Sequence, residues 1–208
     1  MKVLLVNGSS HEHGCTYTAL AEVAGGLEKE GIETGIINLG KEPIRDCTAC
    51  GGCRQLDGRC VYSDDLVNGF IEQAKTADGF VFGTPVYYAH PSGRILSFLD
   101  RVFYAGGAAF AFKPGAAVAS ARRAGTTASL NVLNKYFTIA RMPVVSSYYW
   151  NMVHGSRAED VAQDLEGVQI MRTLGQNMAW LLKCIEAGAR SGISLPENEK
   201  KVMTNFIR

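Results

Sequence analysis

Four of the six cysteines of this 208-residue chain lie in one short stretch, where their spacing suits metal or redox chemistry. The stretch reads CTACGGCRQLDGRC and contains Cys47, Cys50, Cys53 and Cys60. Thiolates spaced C-x2-C-x2-C can converge on one centre, because a tight loop turns each third residue inward and the Gly-Gly pair permits the turns. The fourth thiolate would come from Cys60.

Three interpretations of this cysteine loop are open. A four-iron four-sulfur cluster suits the first three cysteines, although in ferredoxins the fourth cysteine follows after three residues and precedes proline, whereas Val61 follows Cys60. Zinc accepts four thiolates, but structural zinc sites usually pair two C-x2-C units at wider separation. The cysteines could also remain free thiols or form a local disulfide. The spacing favours iron-sulfur over zinc.

A second stretch with functional residue types is GSSHEHGCT, residues 8–16. It follows an apolar run, has two glycines that permit a tight turn, and is rich in hydroxyl groups. Such a turn, its hydroxyls and the positive end of a following helix can bind a phosphate monoester, whereas helix capping is the alternative role. The stretch has neither G-x-G-x-x-G nor the lysine loop of nucleotide triphosphatases, which favours a mononucleotide over NAD or ATP as the tightly held ligand.

The elements that must position these stretches can be predicted from the rest of the sequence. Short β-rich apolar runs alternate with amphipathic runs of helix length, which indicates a parallel sheet with helices on both faces. Five strands are predicted at VLLVN, GIINL, GFVFGTP, AAVAS and PVVSSYYW. Helical spacing predicts helices near residues 20–27, 66–74, 95–103, 127–140 and 171–185. Cys184 falls in the last of these and is expected to be buried and without function.

Neither a repeat nor a linker divides the sequence, so residues 1–208 are expected to form a single domain. The formal charge of +1 predicts no nucleic-acid or membrane partner. The first apolar run is too short for the centre of a signal peptide, and a cytoplasmic location is expected. In that reducing compartment, clustered cysteines favour metal or redox chemistry over a disulfide framework.

Ligands of open parallel sheets bind beyond the carboxyl ends of the strands, which directs attention to two further loops. TPVYYAHPSG follows the third strand, and SARRAGTTAS follows the fourth. A flat apolar ligand could lie against Tyr87 and Tyr88, although these rings could equally belong to the core or to a subunit interface.

The combination of GSSHEHGCT, CTACGGCRQLDGRCVYSDD and GTPVYYAHPSGRILSFLDR resembles the NADPH-dependent FMN reductases of the flavodoxin-like superfamily, and within them the iron-sulfur flavoproteins. The resemblance covers most of residues 1–150. It implies an α/β flavodoxin-like doubly wound sheet of five parallel strands in the order 2-1-3-4-5, with helices on both faces. It also implies FMN as cofactor, NAD(P)H as co-substrate and a homodimer or homotetramer.

The resemblance also assigns site residues. The FMN phosphate would be bound by Ser9, His11, Gly14, Cys15 and Thr16; the isoalloxazine ring would lie against Pro85, Val86, Tyr87 and Tyr88; and the third loop would supply Ala121, Arg122 and Gly125. A four-iron four-sulfur cluster would be held by Cys47, Cys50, Cys53 and Cys60. Where relatives commonly have Arg, this chain has His11, and an imidazole offers one donor in place of a guanidinium fork. Phosphate affinity is therefore expected to be weaker or pH-dependent.

Redox chemistry carried by the flavin needs no side chain as general acid, base or nucleophile, so no catalytic residue is assigned. The predicted function is an FMN-dependent oxidoreductase that accepts electrons from NAD(P)H and passes them to a flavin, a quinone or another acceptor, directly or through an iron-sulfur cluster. Two alternatives stay open: an iron-sulfur flavoprotein that carries electrons between protein partners, and a flavin- or thiol-based redox sensor. Flavodoxin-type carriers tend to be acidic, so the near-neutral charge favours the enzyme.

Overall fold

Six strands build the sheet of this protein, whose computed structural model describes residues 1–200 and 202–204. The strands are β1 (Lys2–Asn7), β2 (Glu33–Asn38), β3 (Gly79–Tyr87), β4 (His90–Pro91), β5 (Gly115–Ala121) and β6 (Met152–His154). The order β2-β1-β3-β5-β6 is parallel throughout, while the two-residue β4 pairs antiparallel with the end of β3. The predicted α/β class and strand order are confirmed.

Six helices cover the two faces of the sheet. They are α1 (Cys15–Glu28), α2 (Val67–Thr76), α3 (Gly93–Gly106), α4 (Thr126–Ile139), α5 (Ala158–Val161) and α6 (Leu165–Arg190). Apolar residues of α1, α5 and α6 form one buried cluster with the sheet, and those of α2, α3 and α4 form the other. Because strands covered on both faces bury all their side chains, β1 and β5 are almost wholly apolar.

Helices α1 and α6 cross at two glycines and touch through their backbones. A Cβ atom on Gly26 would lie 2.6 Å from the Arg172 carbonyl oxygen, and one on Gly175 would lie 2.4 Å from the Val23 carbonyl oxygen. No larger residue fits between the two helices at this crossing. Cys184, farther along α6, is exposed rather than buried, because it lies on the solvent side of the helix.

The predicted fifth strand is wrong in position. PVVSSYYW contributes a single bridge, between Gly115 and Val144, and the paired strand β6 begins only at Met152. Between them the chain leaves the sheet, and the rings of residues 148–150 are 54 to 60% exposed. The Asn151 side chain closes this bulge by accepting from Ser147 N at 3.2 Å and donating to Val145 O at 3.4 Å. The β-propensity of aromatic residues therefore misled the prediction.

Parallel pairing places the carboxyl ends of β1, β3, β5 and β6 at one edge of the sheet. The segments that leave these ends are therefore neighbours in space although they are far apart in sequence. Among the helices of residues 1–200 none is long and apolar enough to span a membrane.

Candidate functional site

A cavity of about 1070 Å³ opens at the carboxyl edge of the sheet. Its wall consists of residues 9–16 after β1, residues 38, 40 and 41 at the end of β2, residues 85–87 of β3, residues 120 and 122 at the end of β5, and residues 155–157 after β6. Its volume suits a ligand of cofactor size, and it occupies the place where doubly wound sheets bind their ligands.

The loop after β1 is organised by Asn7, a buried residue that the sequence patterns did not single out. Its Nδ2 donates to the carbonyl oxygens of His11 at 3.2 Å and Glu12 at 3.3 Å, and to Asn38 Oδ1 at 2.8 Å. Its Oδ1 accepts from Ser9 N at 3.1 Å, and Ser9 Oγ accepts from His11 N at 3.1 Å. The hydrogen bonds of Asn7, the last residue of β1, therefore hold the loop in one conformation.

Close backbone approach fixes the start of this loop. A Cβ atom on Gly8 would lie 2.7 Å from the Gly83 carbonyl oxygen and 2.8 Å from Ile95 Cβ. Ser92 Oγ donates to the Gly8 carbonyl oxygen at 2.9 Å and accepts from Ile95 N at 3.3 Å, where it caps α3. The loop after β1 is thus joined to β3 and to the first turn of α3.

The first turn of α1 is suited to bind an anion. No side chain caps the helix at Gly14, and the first turn contains no acidic residue. The first N–H groups of a helix have no acceptor within it and lie at the positive end of the helix dipole. Since residues 14–16 line the cavity, these donors are offered to a ligand there.

Two buried hydroxyl groups meet at the cavity wall. Thr16 Oγ1 lies 2.8 Å from Ser120 Oγ, and the two residues are 1% and 4% exposed. One hydroxyl donates to the other, so the pair keeps one further hydrogen for another acceptor. A phosphate oxygen is such an acceptor, and the donor set of this wall therefore fits a phosphate monoester.

Cationic side chains outnumber acidic ones around the cavity. Its wall includes Lys41, Arg122 and Arg157, against a single carboxylate, that of Glu12. This imbalance favours an anionic ligand. Arg122 belongs to the predicted site, whereas no binding role was predicted for Lys41 or Arg157.

Cys15 lines the same wall as a neutral thiol. Its Sγ lies 3.5 Å from the Gly155 carbonyl oxygen. Burial raises the pKa of Cys15 above its ordinary value, and the nearby carboxylates of Asp160 and Glu159 raise it further against an opposing backbone hydrogen bond. Because the thiolate is the nucleophilic form, Cys15 is not poised to react at neutral pH.

The segment after β3 brings only part of the predicted ring-binding set to the cavity. Pro85, Val86 and Tyr87 line it, whereas Tyr88 does not and is fully exposed. Tyr88 and Ala89 have φ angles of 53° and 58° and form the tight turn between β3 and β4. Two consecutive left-handed residues reverse the chain, and the Tyr88 side chain is left in solvent at the tip of the turn.

The loop after β5 likewise brings only part of its predicted residues to the cavity. Arg122 lines the cavity, and so does Ser120, which was not predicted, whereas Ala121 and Gly125 lie outside its wall. Successive residues of a strand face opposite sides, so Ala121 points away from the face to which Ser120 belongs. Gly125, with φ of 94°, packs against the tight turn, and a Cβ atom there would lie 2.5 Å from Ala89 Cα.

The four clustered cysteines line one second cavity, of about 230 Å³. None of them is in a disulfide; Cys50 is exposed and the other three are partly buried. Across residues 1–200 and 202–204, no three His, Cys, Asp or Glu side chains are placed to hold a metal ion. The donor set suits a thiolate-bound group, but the sulfur atoms do not stand at ligand positions.

Arg101 of α3 connects the cysteine loop to the fold. Its guanidinium is 1% exposed; Nε donates to Cys60 Sγ at 3.2 Å, and Nη2 donates to the Tyr62 carbonyl oxygen at 3.0 Å. Nη1 donates to the Arg45 carbonyl oxygen at 3.3 Å and forms an ion pair with the partly buried carboxylate of Asp65. Burial disfavours the charge, but the hydrogen bonds to Asp65 and Cys60 outweigh it and raise the pKa of Arg101.

The backbone of Cys60 is fixed as firmly as its sulfur. Asn68 of α2 accepts from Cys60 N at 2.8 Å and donates to the Cys60 carbonyl oxygen at 3.0 Å. The same amide donates to the Tyr62 carbonyl oxygen at 3.1 Å. Cys60 is therefore the anchored member of the four cysteines.

Comparisons with known proteins agree with this architecture. A model of the NADPH-dependent FMN reductase family matches residues 1–157. The chain is 30% identical over 194 residues to an iron-sulfur flavoprotein of Methanocaldococcus jannaschii, covering 89% of this chain and 100% of that protein. Solved structures that share the fold include a flavodoxin from the domain Archaea, with a TM-score of 0.60 at 15% identity over 88% of this chain and 99% of that one. A flavone reductase has a TM-score of 0.68 at 19% identity over 89% and 64% of the respective chains.

The family match spans β1 to β6, and therefore every loop that lines the large cavity. The resemblance predicted from the three motifs is thereby confirmed. The chain belongs to the NADPH-dependent FMN reductase family and is a flavin-dependent oxidoreductase with a flavodoxin-like fold.

Proposed function

We propose that this protein binds FMN in the large cavity and oxidises NAD(P)H with it. The observation that carries the proposal is the uncapped first turn of α1 beside the Thr16–Ser120 hydroxyl pair. Helix N–H groups and one free hydroxyl hydrogen together form a phosphate site built into the fold. Ser9, His11, Gly14 and Cys15 complete the loop that would surround the phosphate.

The ring of the flavin would lie against Pro85, Val86 and Tyr87. When bound, FMN supplies the hydride and electron transfer, and the chain binds and orients it. Arg122, which also lines the cavity, favours negative charge on the bound group. Of the predicted binding residues outside the wall, Ala121 ends β5 beside the cavity, while Gly125 supports the turn that carries Tyr88.

Titration of the apo-protein with FMN and with riboflavin tests the phosphate site. Riboflavin lacks the phosphate, so FMN is expected to bind much more tightly. Thr16→Val removes a hydroxyl and should weaken FMN binding about tenfold, while riboflavin binding changes little. Thr18→Val is the matched control, because the Thr18 hydroxyl donates to the Gly14 carbonyl oxygen within α1 and lies outside the cavity wall. Equal affinities for FMN and riboflavin would contradict the proposal.

Turnover decides between an enzyme and a carrier. The FMN-loaded protein should oxidise NADPH or NADH in the presence of free flavin or a quinone, without any protein partner. Steady-state rates with each nucleotide and a panel of acceptors measure this. Negligible turnover would favour the second candidate, an iron-sulfur flavoprotein that passes electrons between redox proteins.

The observation that favours this second candidate is the shared cavity of the four cysteines. We propose that Cys47, Cys50, Cys53 and Cys60 hold a four-iron four-sulfur cluster. The sulfur atoms are not at ligand positions, so cluster binding would require some of them to move. Because Arg101 holds the sulfur of Cys60, those of Cys47, Cys50 and Cys53 would have to move toward it. Iron and sulfide analysis of anaerobically purified protein tests this, and Cys47→Ser should lower both. Full FMN binding without iron would refute the cluster and leave the flavin site standing.

The proposal includes association into a homodimer or homotetramer. Its support is the aromatic bulge of residues 148–150, whose rings are more than half exposed at the open edge of the sheet. Light scattering should give a mass of two or four chains, and Trp150→Ser should lower it. A mass of one chain for the wild-type protein would contradict this part of the proposal.

A further inference from the structure

Arg101 makes a contact that the flavin site does not require. Its Nε donates to Cys60 Sγ at 3.2 Å, and the side chain is 1% exposed. A guanidinium cannot be deprotonated in a protein, so a permanent positive charge lies beside this sulfur. The remaining donors bind the Arg45 and Tyr62 carbonyl oxygens and the Asp65 carboxylate, which leaves the guanidinium little freedom to turn away.

A buried positive charge beside a ligand sulfur raises the electron affinity of the group bound through that sulfur, because it stabilises the added electron. Hydrogen bonds to the sulfur atoms and local charge are among the factors that set the potential of an iron-sulfur cluster. Water screens a buried contact far less than an exposed one. Arg54, also in the cavity wall, is exposed and has a much weaker influence.

Asp65 opposes this effect. Its carboxylate is paired with Arg101 and its side chain is 9% exposed. The field at Cys60 is therefore that of a cation partly offset by a nearby anion, the carboxylate of Asp65. Removing the cation and removing the anion should therefore change the electron affinity of the group bound through Cys60 in opposite directions. If either substitution only loosened the loop, the two changes would not be expected to have opposite signs.

We propose that Arg101 is a positioning residue that raises the reduction potential of the iron-sulfur group bound through Cys60, and that Asp65 moderates this increase. The inference rests on the cluster of the proposed function. Reduction adds one electron to that group, which dithionite supplies in the test. No bond to Arg101 forms or breaks.

The experiment is a potentiometric titration of the anaerobically reconstituted full chain, followed by electron paramagnetic resonance. In Arg101→Gln, which removes the cation, the potential should become more negative, with about tenfold more oxidised cluster at a fixed ambient potential. In Asp65→Asn the potential should become more positive. Arg54→Gln, which removes an exposed charge from the same cavity wall, should leave it close to the wild-type value.

Each outcome is decisive. Unchanged potentials in Arg101→Gln and Asp65→Asn, with wild-type iron content, would overturn the inference and leave the cluster intact. Shifts of both variants in the same direction would also overturn it, because they would indicate loosening of the loop. If Arg101→Gln does not retain iron, Asp65→Asn alone must show the positive shift. Wild-type protein that takes up no iron would refute the cluster itself, and the inference with it.

Discussion

Gly8 lies where the end of β1 meets β3 and the first turn of α3, and its replacement by alanine tests how closely the loop after β1 packs against them. In Gly8→Ala the new Cβ would overlap the Gly83 carbonyl oxygen and Ile95 Cβ. Neither can easily move, so we expect a loss of about 1–3 kcal/mol in the free energy of unfolding and weaker FMN binding. Gly25→Ala is the control, because its Cβ would meet nothing within 4 Å in the last turn of α1. That substitution should stabilise the protein by about 0.5–1 kcal/mol.

Urea denaturation and FMN titration of both variants measure these effects. If Gly8→Ala keeps wild-type stability and affinity, the loop after β1 tolerates displacement and does not fix the ligand.

Cys15 and Cys184 should differ in reactivity for an electrostatic reason. The pKa of Cys15 is raised above the ordinary 9.0, chiefly by burial, so its thiolate fraction is low at neutral pH. In the apo-protein, alkylation of Cys15 should therefore be slower than that of the exposed Cys184 and should still increase with pH above 9.0. Mass spectrometry after timed alkylation with iodoacetamide measures both. Faster alkylation of Cys15 at pH 7 would show that its environment stabilises the thiolate.

From the sequence, residues of the candidate site could be identified only where one short segment itself contains the residue types that suit a ligand. Ser9 and Arg122 lie in loops after strands and Thr16 lies in the first turn of α1, and the structure places all three at the cavity. Ser120 is separated from Thr16 by 104 positions, so that their contact depends on the strand order and not on local sequence. Asn7 and Asn38 meet for the same reason, through the pairing of β1 with β2.

At the scale of elements, the crossing of α1 and α6 should be the most sensitive packing contact. Gly175→Ala would place a Cβ atom 2.4 Å from the Val23 carbonyl oxygen and 3.0 Å from Leu27 N, so the helices must separate. We expect a loss of about 1–3 kcal/mol in the free energy of unfolding. Gly188→Ala on the same helix meets only Ile193, at an ordinary 3.6 Å, and should be neutral or stabilising. Equal unfolding midpoints for the two variants would contradict the close crossing.

The elements themselves were largely predictable, with one instructive exception. β1, β3 and β5 are continuous apolar runs because both faces of the sheet are covered, and such runs are visible in sequence. The position of the fifth strand was predicted wrongly, because the short run MVH has a weaker strand pattern than the neighbouring aromatic run SSYYW. The Asn151 side chain stabilises SSYYW outside the sheet, because its hydrogen bonds to Ser147 and Val145 close the bulge.

At the scale of the whole molecule, ligand binding should stabilise the entire fold, because loops from five parallel strands line the cavity. A ligand that binds only the folded state at about 100 times its Kd adds about 2.7 kcal/mol to the free energy of unfolding. FMN should therefore raise the unfolding temperature by several degrees, and riboflavin at the same concentration by much less. Scanning calorimetry of the apo-protein measures both shifts. Equal shifts would show that the phosphate contributes nothing.

The buried guanidinium of Arg101 also bears on how this protein can diverge. It holds the chain at Arg45 and again at Tyr62, so the segment between them leaves and returns at nearly one point of α3. Loop-closure entropy grows only slowly with length, and residues may therefore be gained or lost within such a segment at little cost. Relatives are therefore expected to differ most in length between these two anchors, within residues 46–61.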